Sequence, residues 1–334
     1  PIPDAALDRL GERVLAAADM LPEHPTEFEL MTAIGFLWFA EAGCDLVVVE
    51  VGLGGRLDST NVIPAPEAAV ITNIGLEHTA ILGSPLAAIA AEKSGILKPG
   101  CRAVLYGQSR EVGEVVARAC VEKNIPLTVT DASQLTLLSS GLDGQHFTYR
   151  GSAPLLLPLL GDYQLRNAMT VLDTVDALRA QGRNISADAV ARGLAAARWP
   201  GRLELVRRRP DLIIDGGHNP QCAQALAASL RGLYVGKKLI FLIGVLADKD
   251  WQSMVGEVLR LAKAIVTVRP ESDRAKDENE LAAWVRAQGV PAEAHASIGE
   301  ALDAVLALAG PEDAVCAWGS LYSVGELRHC LGLC

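Results

Sequence analysis

The sequence predicts an α/β chain of two domains, on three observations. Short apolar runs rich in Val, Ile and Ala alternate with stretches of helical length through most of the 334 residues. Several of those runs end in glycine-rich polar loops, the place where open parallel sheets bind ligands. A chain of 334 residues is also longer than one core comfortably serves.

Half of the residues are hydrophobic, which provides for a substantial core. Thirty Lys and Arg against 40 Asp and Glu leave a net charge of -10. That balance excludes a general nucleic-acid binder, which needs a phosphate-neutralising basic surface. The seven cysteines, at 44, 101, 120, 222, 316, 330 and 334, form no C-x-x-C pair and read as reduced thiols. No apolar stretch has the length of a membrane span, and PIPDAALDRL lacks the basic and apolar regions of a signal peptide. The expectation is a soluble, cytoplasmic protein with neither nucleic acid nor membrane as partner.

Helices over 27–42, 85–93 and 111–123 separate strands over 46–51, 69–74, 103–106 and 127–130. The run Leu46, Val47, Val48, Val49 has the β-branched content of a strand buried on both faces, which would set the Glu50 carboxylate against a core. Ser84 and Pro85 suit the start of the second helix and Gly95 its end. From 134 to 161 short strands over 135–138, 146–149 and 154–159, split by 141–144, read as a small antiparallel addition. Helices over 163–181 and 186–197 follow, and Trp199-Pro200-Gly201-Arg202 punctuates the chain. The alternation then restarts with strands over 212–214, 239–243, 264–268, 292–296 and 314–318. The boundary falls near Leu203, giving domains 1–203 and 204–334.

Polar residues collect after these strands. In EVGLGGRLDSTN, Gly52, Gly54 and Gly55 let the backbone turn and approach a ligand, while Arg56, Asp58, Thr60 and Asn61 supply polar groups. Asn73, Glu77 and His78 follow the next strand, and a carboxylate with an imidazole at one sheet edge suits a divalent cation. Lys93 sits in a last helical turn, where the dipole mildly favours a cation, and spacing alone reads it and Lys98 as structural or solvated. Gln164 and Asn167, at i and i+3, can turn two amides to one side and read a purine edge, although an ordinary polar helix face fits as well. Asp215 ends a strand, and His218 and Asn219 precede a helix whose amino end can stabilise an anion. Asp248, Lys249 and Asp250 follow another strand and Ser320 the last one, so the loops of both sheets are expected to face one cleft.

In order, TEFE at Thr26, EVGLGGRLDSTN, NIGLEHTAILG, AEKSGILKPG, GDYQLRNA, WPGRLE, DGGHNP and GSLYSVGELR resemble the folylpolyglutamate synthase and dihydrofolate synthase family within the Mur ligase group. The resemblance spans nearly the whole chain. It implies a P-loop-NTPase-like central domain, bearing the antiparallel addition, and a Rossmann-like C-terminal domain. It implies ATP and Mg2+ as cofactors, with Glu50 and His78 as metal ligands and Lys93 carbamylated to a carboxylate near the metal. Asn167, Arg202 and Asp215 match the family's ATP contacts, and His218 lies where it places a histidine near the nucleotide. Thr26, Glu27, Phe28 and Glu29, with Leu57, Asp58 and Ser59, match its pterin side, although Glu27 stands where an aromatic is usual. The reaction implied is phosphorylation of a substrate carboxylate by ATP, followed by attack of L-glutamate's amine on the acyl phosphate. The acceptor is dihydropteroate, a folate or both, and the family is usually monomeric. The family's P-loop, G-x-x-x-x-G-K-[ST], does not occur in the sequence and is expected upstream of Pro1, which reads the chain as a fragment inactive alone. An inactive binding module and a Mur ligase for another amino acid and acceptor are the two other readings.

Overall fold

Three apolar runs of three or four residues pair in parallel to make the first sheet: β1 (Ala68–Ile71), β2 (Arg102–Leu105) and β3 (Leu127–Val129), in that order. They belong to a computed structural model that describes residues 1–75 and 86–333. Contact density divides the chain into two units, Pro1–Thr130 with Asp173–Arg183, and Asp131–Leu172 with Asn184–Cys334.

In the first unit, Ala69 and Ile71 of β1 and Ala103 and Leu105 of β2 are buried with Ile89 and Ala90 of α3 (Leu86–Lys93) and Val112, Val116 and Cys120 of α4 (Arg110–Glu122). The spacing of i, i+4 and i+8 along α4 gives one buried stripe. Two preceding helices, α1 (Asp4–Ala18) and α2 (Glu27–Glu41), pack on each other through Leu10, Val14 and Ile34. The sequence reading passes over α1. Its apolar residues Leu7, Leu10, Val14 and Ala18 nevertheless recur every three or four positions. At the far end of α5 (Asp162–Ala180) the Arg183 guanidinium grips both carboxylate oxygens of Glu67, and Gln181 Nε2 donates to Gly100 O at 2.9 Å.

The run 46–51 is not a strand, contrary to expectation. Leu46 and Val48 are 48% and 92% exposed, and Glu50 is exposed beyond them. Apolar β-branched residues make a strand only where a neighbour completes the ladder. Among the described residues β1 pairs with β2 alone, and nothing pairs with 46–51. The run instead lines, with Phe36, Phe39, Val70 and Leu178, an apolar hollow of about 480 Å³. The cost foreseen for Glu50 against a core therefore does not arise.

In the second unit, β4 (Leu135–Gly141), β5 (Gly144–Tyr149) and β6 (Leu155–Leu157) form the expected antiparallel addition. Phe147, Tyr149, Leu155 and Leu157 bury against Leu165 and Met169 of α5 and Leu194 of α6 (Ala187–Ala195). The larger sheet has six strands: β7 (Glu204–Arg207), β8 (Asp211–Asp215), β9 (Leu239–Ile243), β10 (Ala262–Val268), β11 (Ala292–His295) and β12 (Ala314–Trp318). Their order is β11-β10-β9-β12-β8-β7, parallel except for the edge strand β7. One face is covered by α7 (Pro220–Leu233), α8 (Trp251–Leu259) and α9 (Glu278–Ala287), the other by α10 (Ile298–Leu308) and α11 (Leu321–Cys330). Burial on both faces explains the near-continuous apolar runs of β8, β9 and β12. The helices after β8 and β9 go to one face and the helix after β12, which lies between them, to the other. Those three carboxyl ends form the switch point where doubly wound sheets open a crevice.

Candidate functional site

In the first unit the loop 50–61 is laid directly on the end of α3. A Cβ at Gly55 would stand 2.9 Å from Glu92 O and 3.0 Å from Lys93 Cα, and one at Gly95 would stand 2.4 Å from Arg56 Cα and Cβ. Arg56 N–H donates to Glu92 O at 3.0 Å, and Asn61 Nδ2 donates to Arg56 O and Gly95 O, each at 3.2 Å. Asp58 ties the loop to itself by accepting from Leu53 N–H at 2.9 Å, Thr60 N–H at 2.9 Å and the Thr60 hydroxyl at 2.5 Å. Burial opposes ionisation there, but the Thr60 hydroxyl and the surrounding amides outweigh it and hold the Asp58 carboxyl below the usual carboxylate range. The Lys98 ammonium is occupied by Asn61 O, at 2.6 Å, and Ile63 O, so it is structural. Lys93, the last residue of α3, is half-buried against Gly55.

Of the pterin-side candidates, Thr26 and Glu29 form the capping box that opens α2. The Glu29 carboxylate accepts from Thr26 N–H at 2.7 Å and from its hydroxyl at 2.8 Å, which holds that carboxyl below its usual range. Their polar atoms thus serve the helix, as those of Asp58 serve the loop. Phe28 meets the loop: a Cβ at Gly52 would stand 2.6 Å from its ring Cζ. Leu57 is 80% exposed, Glu27 is exposed and Ser59 is half-buried.

Glu50 heads the loop as an exposed carboxylate. Glu77 and His78, like Ser84 and Pro85, lie outside the described residues, among which no three His, Cys, Asp or Glu side chains gather as a metal cluster. Mg2+ is held by one or two carboxylates with the remaining positions left to water and phosphate oxygens, so the exposed Glu50 fits one place in such a site.

In the second unit Asp215, buried at the carboxyl end of β8, accepts from Gly217 N–H at 2.8 Å and Leu203 N–H at 2.9 Å. Burial pushes its carboxyl above the usual range, against the pull of those amides, Arg202 and His218. Tyr163, which the sequence pattern does not single out, lies beside it, and burial with the Asp215 charge keeps its phenol protonated. A Cβ at Gly216 would stand 2.8 Å from Arg202 Nη1, so the guanidinium lies over that glycine. His218 Nδ1 is 3.1 Å from Gly216 O. A carbonyl only accepts, so Nδ1 carries the proton and Nε2 is left as an acceptor. Asn219 caps α7 by accepting from Cys222 N–H at 2.7 Å, with Pro220 in the first turn, which aims the positive end of the helix dipole at this loop.

The amide pair on α5 meets as its spacing predicts. Asn167 Nδ2 donates to Gln164 Oε1 at 3.0 Å, with Gln164 buried and Asn167 exposed, so Asn167 turns an acceptor and a second N–H outward. Ser320 caps α11 and is buried on Ser323 at 2.8 Å. Asp248 pairs with Arg274 at 3.1 Å and Asp250 caps α8, so these two support loops.

Residues 15–175 match the Mur ligase middle domain and residues 201–321 the Mur ligase glutamate ligase domain. Folylpolyglutamate synthase of Lacticaseibacillus casei is 36% identical over 80% of this chain and 64% of its own. Dihydrofolate synthetase of Saccharomyces cerevisiae is 33% identical over 90% of this chain and 75% of its own. A crystal structure of Mycobacterium tuberculosis folylpolyglutamate synthase, complexed with ADP and AMPPCP, superposes with a TM-score of 0.86 at 30% identity, over 99% of this chain and 80% of that one. The chain spans 36%, 64% and 55% of the length of three of the curated relatives it matches.

The contact at Gly95 is backbone on backbone, which cannot swing aside. Gly95→Ala should lower stability by about 1–3 kcal/mol, read as a lower urea midpoint, whereas Gly113→Ala on α4, with nothing within 4 Å, should raise it. For Asp215, a folded-state pKa above the unfolded one stabilises the fold fully below about pH 4, and that contribution is lost as pH rises through the folded value. The wild type should therefore lose stability relative to Asp215→Asn as pH climbs from 4 towards neutrality. A pH-independent difference between the two urea midpoints refutes this.

Proposed function

The chain belongs to the folylpolyglutamate synthase and dihydrofolate synthase family of Mur ligases, and from that premise we propose an ATP-dependent ligase joining L-glutamate to dihydropteroate, to a reduced folate, or to both. The observation that carries this reading is the match to a glutamate ligase domain over 201–321, the stretch that holds Arg202, Asp215 and His218 around one strand end. The γ-phosphoryl group of ATP passes to the acceptor carboxylate, giving ADP and an acyl phosphate. Glutamate's amine then attacks the acyl carbon, phosphate leaves with the bonding pair, and an amide and a proton remain.

Each unit has its share of this chemistry. Asn167 offers the donor and acceptor that an adenine edge requires, and Arg202 over Gly216, with Asp215 beneath that loop, supports the reading that these two serve the rest of the nucleotide. An amine attacks only when neutral, and His218 Nε2 is the acceptor for the proton it sheds. In the first unit Phe28 and Leu57 give the pterin apolar surface. Glu50 and His78 would hold Mg2+, which when bound neutralises phosphate charge. Lys93 ends α3, and a carbamate on its Nζ would be an anion at the negative end of a helix, so it calls for positive charge nearby. The division at 203/204 is supported by the span of the two domain matches, 15–175 and 201–321. No helix among the described residues is long and apolar enough to cross a membrane. A cytoplasmic monomer is part of the proposal and rests on the family resemblance alone.

Full-length protein given ATP, Mg2+ and L-glutamate should release phosphate only when dihydropteroate or tetrahydrofolate is added, and the product should gain one glutamyl residue in mass. No glutamate-dependent release with either acceptor overturns the reading. Lys93→Ala should lose about 100-fold or more in turnover and recover part of it in formate or acetate, and no recovery counts against the carbamate.

A further inference from the structure

Arg202 owes its direction to its backbone. Its guanidinium lies over Gly216, and its bond to Gly201 O is long, at 3.5 Å. A contact of that length orients a side chain only weakly, so the turn that carries residue 202 decides where the charge sits.

That turn is held on both sides of Arg202. Gly201 and Leu203 are both left-handed, with φ of 68° and 45°, and such a conformation persists at a non-glycine residue only where its surroundings fix it. Leu203 N–H donates to Asp215 Oδ2 at 2.9 Å, and Gly201 O accepts from Gly216 N–H at 2.7 Å. Gly201 N–H in turn donates to Glu204 Oε2 at 2.8 Å.

Glu204 opens β7, and its carboxylate folds back over the turn. Arg328 Nη1, on α11, reaches both of its oxygens, at 2.7 and 2.6 Å, and the two side chains are half-buried. A carboxylate two residues from Arg202 would by itself oppose an anion there, and Arg328 neutralises that charge. One helix turn before Arg328, Val324 meets the same loop: a Cβ at Gly201 would stand 2.8 Å from its Cγ1. Val324 and Arg328, at i and i+4, thus support the turn from one face of α11.

We propose that Glu204 is a positioning residue for nucleotide binding: by holding the Gly201 amide it fixes the turn that directs the Arg202 guanidinium over Gly216. This rests on the ligase reading above, in which Arg202 meets the nucleotide. Glu204 does two separable things. It accepts from Gly201, and it pairs with Arg328. A merely structural role runs through the ion pair, whereas the positioning role runs through the Gly201 bond.

Variants of the full-length protein separate the two. Glu204→Met removes both interactions. Glu204→Gln keeps an oxygen for Gly201 and loses the ion pair, and Arg328→Met loses the pair while leaving the carboxylate in place. All three should lower the urea midpoint. Only Glu204→Met should raise the Kd for ADP about tenfold or more, the worth of one hydrogen bond to a charged group, and only there should the Gly216 amide lose protection from hydrogen exchange. Glu204→Asp keeps the charge but stops one methylene short of Gly201. It should shift both readouts in the same direction as Glu204→Met, so the test survives a Glu204→Met that fails to fold. An ADP Kd that stays at the wild-type value in Glu204→Met and Glu204→Asp, or that rises equally in Glu204→Gln and follows the urea midpoint, overturns the proposal. A wild type that does not bind ADP sinks the nucleotide reading instead, and Gly216 exchange still reports on the turn.

Discussion

Two peptide backbones can lie this close only where one of them lacks a Cβ at the contact, and the first unit's candidate loop depends on that constraint. Gly55 rests on Glu92 and Lys93, and Gly95 on Arg56. The loop and the end of α3 thereby become one body, so Lys93 stands beside the segment that Glu50 heads. Everything else in the loop follows from holding that contact: Asn61 bonds to a carbonyl on each side of it, Arg56 pairs with Glu92 across it, and Asp58 gathers the amides that the sharp turn leaves without a ladder. Apart from the single 3-10 turn Ser59–Val62, which Asp58 caps, this loop has no strand or helix to satisfy its peptides, so side-chain carboxylates and amides do so.

The second unit solves the same problem by opposite means. There a charge-bearing group is buried and the backbone is wrapped around it. Asp215 bonds to Gly217, two residues ahead, and to Leu203, twelve residues behind. Leu203 has φ of 45°, a left-handed conformation costing a non-glycine residue of order 1–3 kcal/mol. The Asp215 bond to its N–H and the burial of its side chain, 1% exposed, hold it there. Arg202 precedes it directly, so the strained turn that places the guanidinium over Gly216 is fixed by the carboxylate at the strand end. A group whose burial disfavours its charge is retained because three segments use it.

What could be read in the sequence follows how local each signal is. The strands of the larger sheet are buried on both faces, and their unbroken apolar runs announce them almost to the residue. The Gln164–Asn167 pair is legible because helical spacing alone brings the two amides together. The run 46–51 misleads because it carries the same composition as a central strand, and composition does not show whether a neighbour is present to pair. The edge strand β7 passes unseen for the converse reason: Glu204 and Arg207 break the apolar pattern on a strand paired on one side only. Gln108, whose side-chain amide bonds to Ile74 N–H and Thr72 O, carries no local signature, since those partners lie 34 and 36 positions away. Thr26, Glu29 and Asp58 show a further limit, because a motif that orders a loop and a motif that binds a ligand use the same polar residues.

If a chain of net charge -10 is to take up the polyanionic nucleotide of the proposed reaction, its positive potential has to be supplied locally. Most arginines near the candidate loops do not supply it: Arg56 lies on Glu92, Arg274 on Asp248 and Arg328 on Glu204. These pairs are neutral as units. Arg202 differs, with a bond to Gly201 O at 3.5 Å and no carboxylate as hydrogen-bond partner among the described residues. It sits over a glycine, beside amides that turn toward Asp215 and within the reach of the α7 dipole. Dipolar groups and the Arg202 guanidinium, which Asp215 faces without a hydrogen bond, are therefore the groups on which the proposed phosphate site at these strand ends depends.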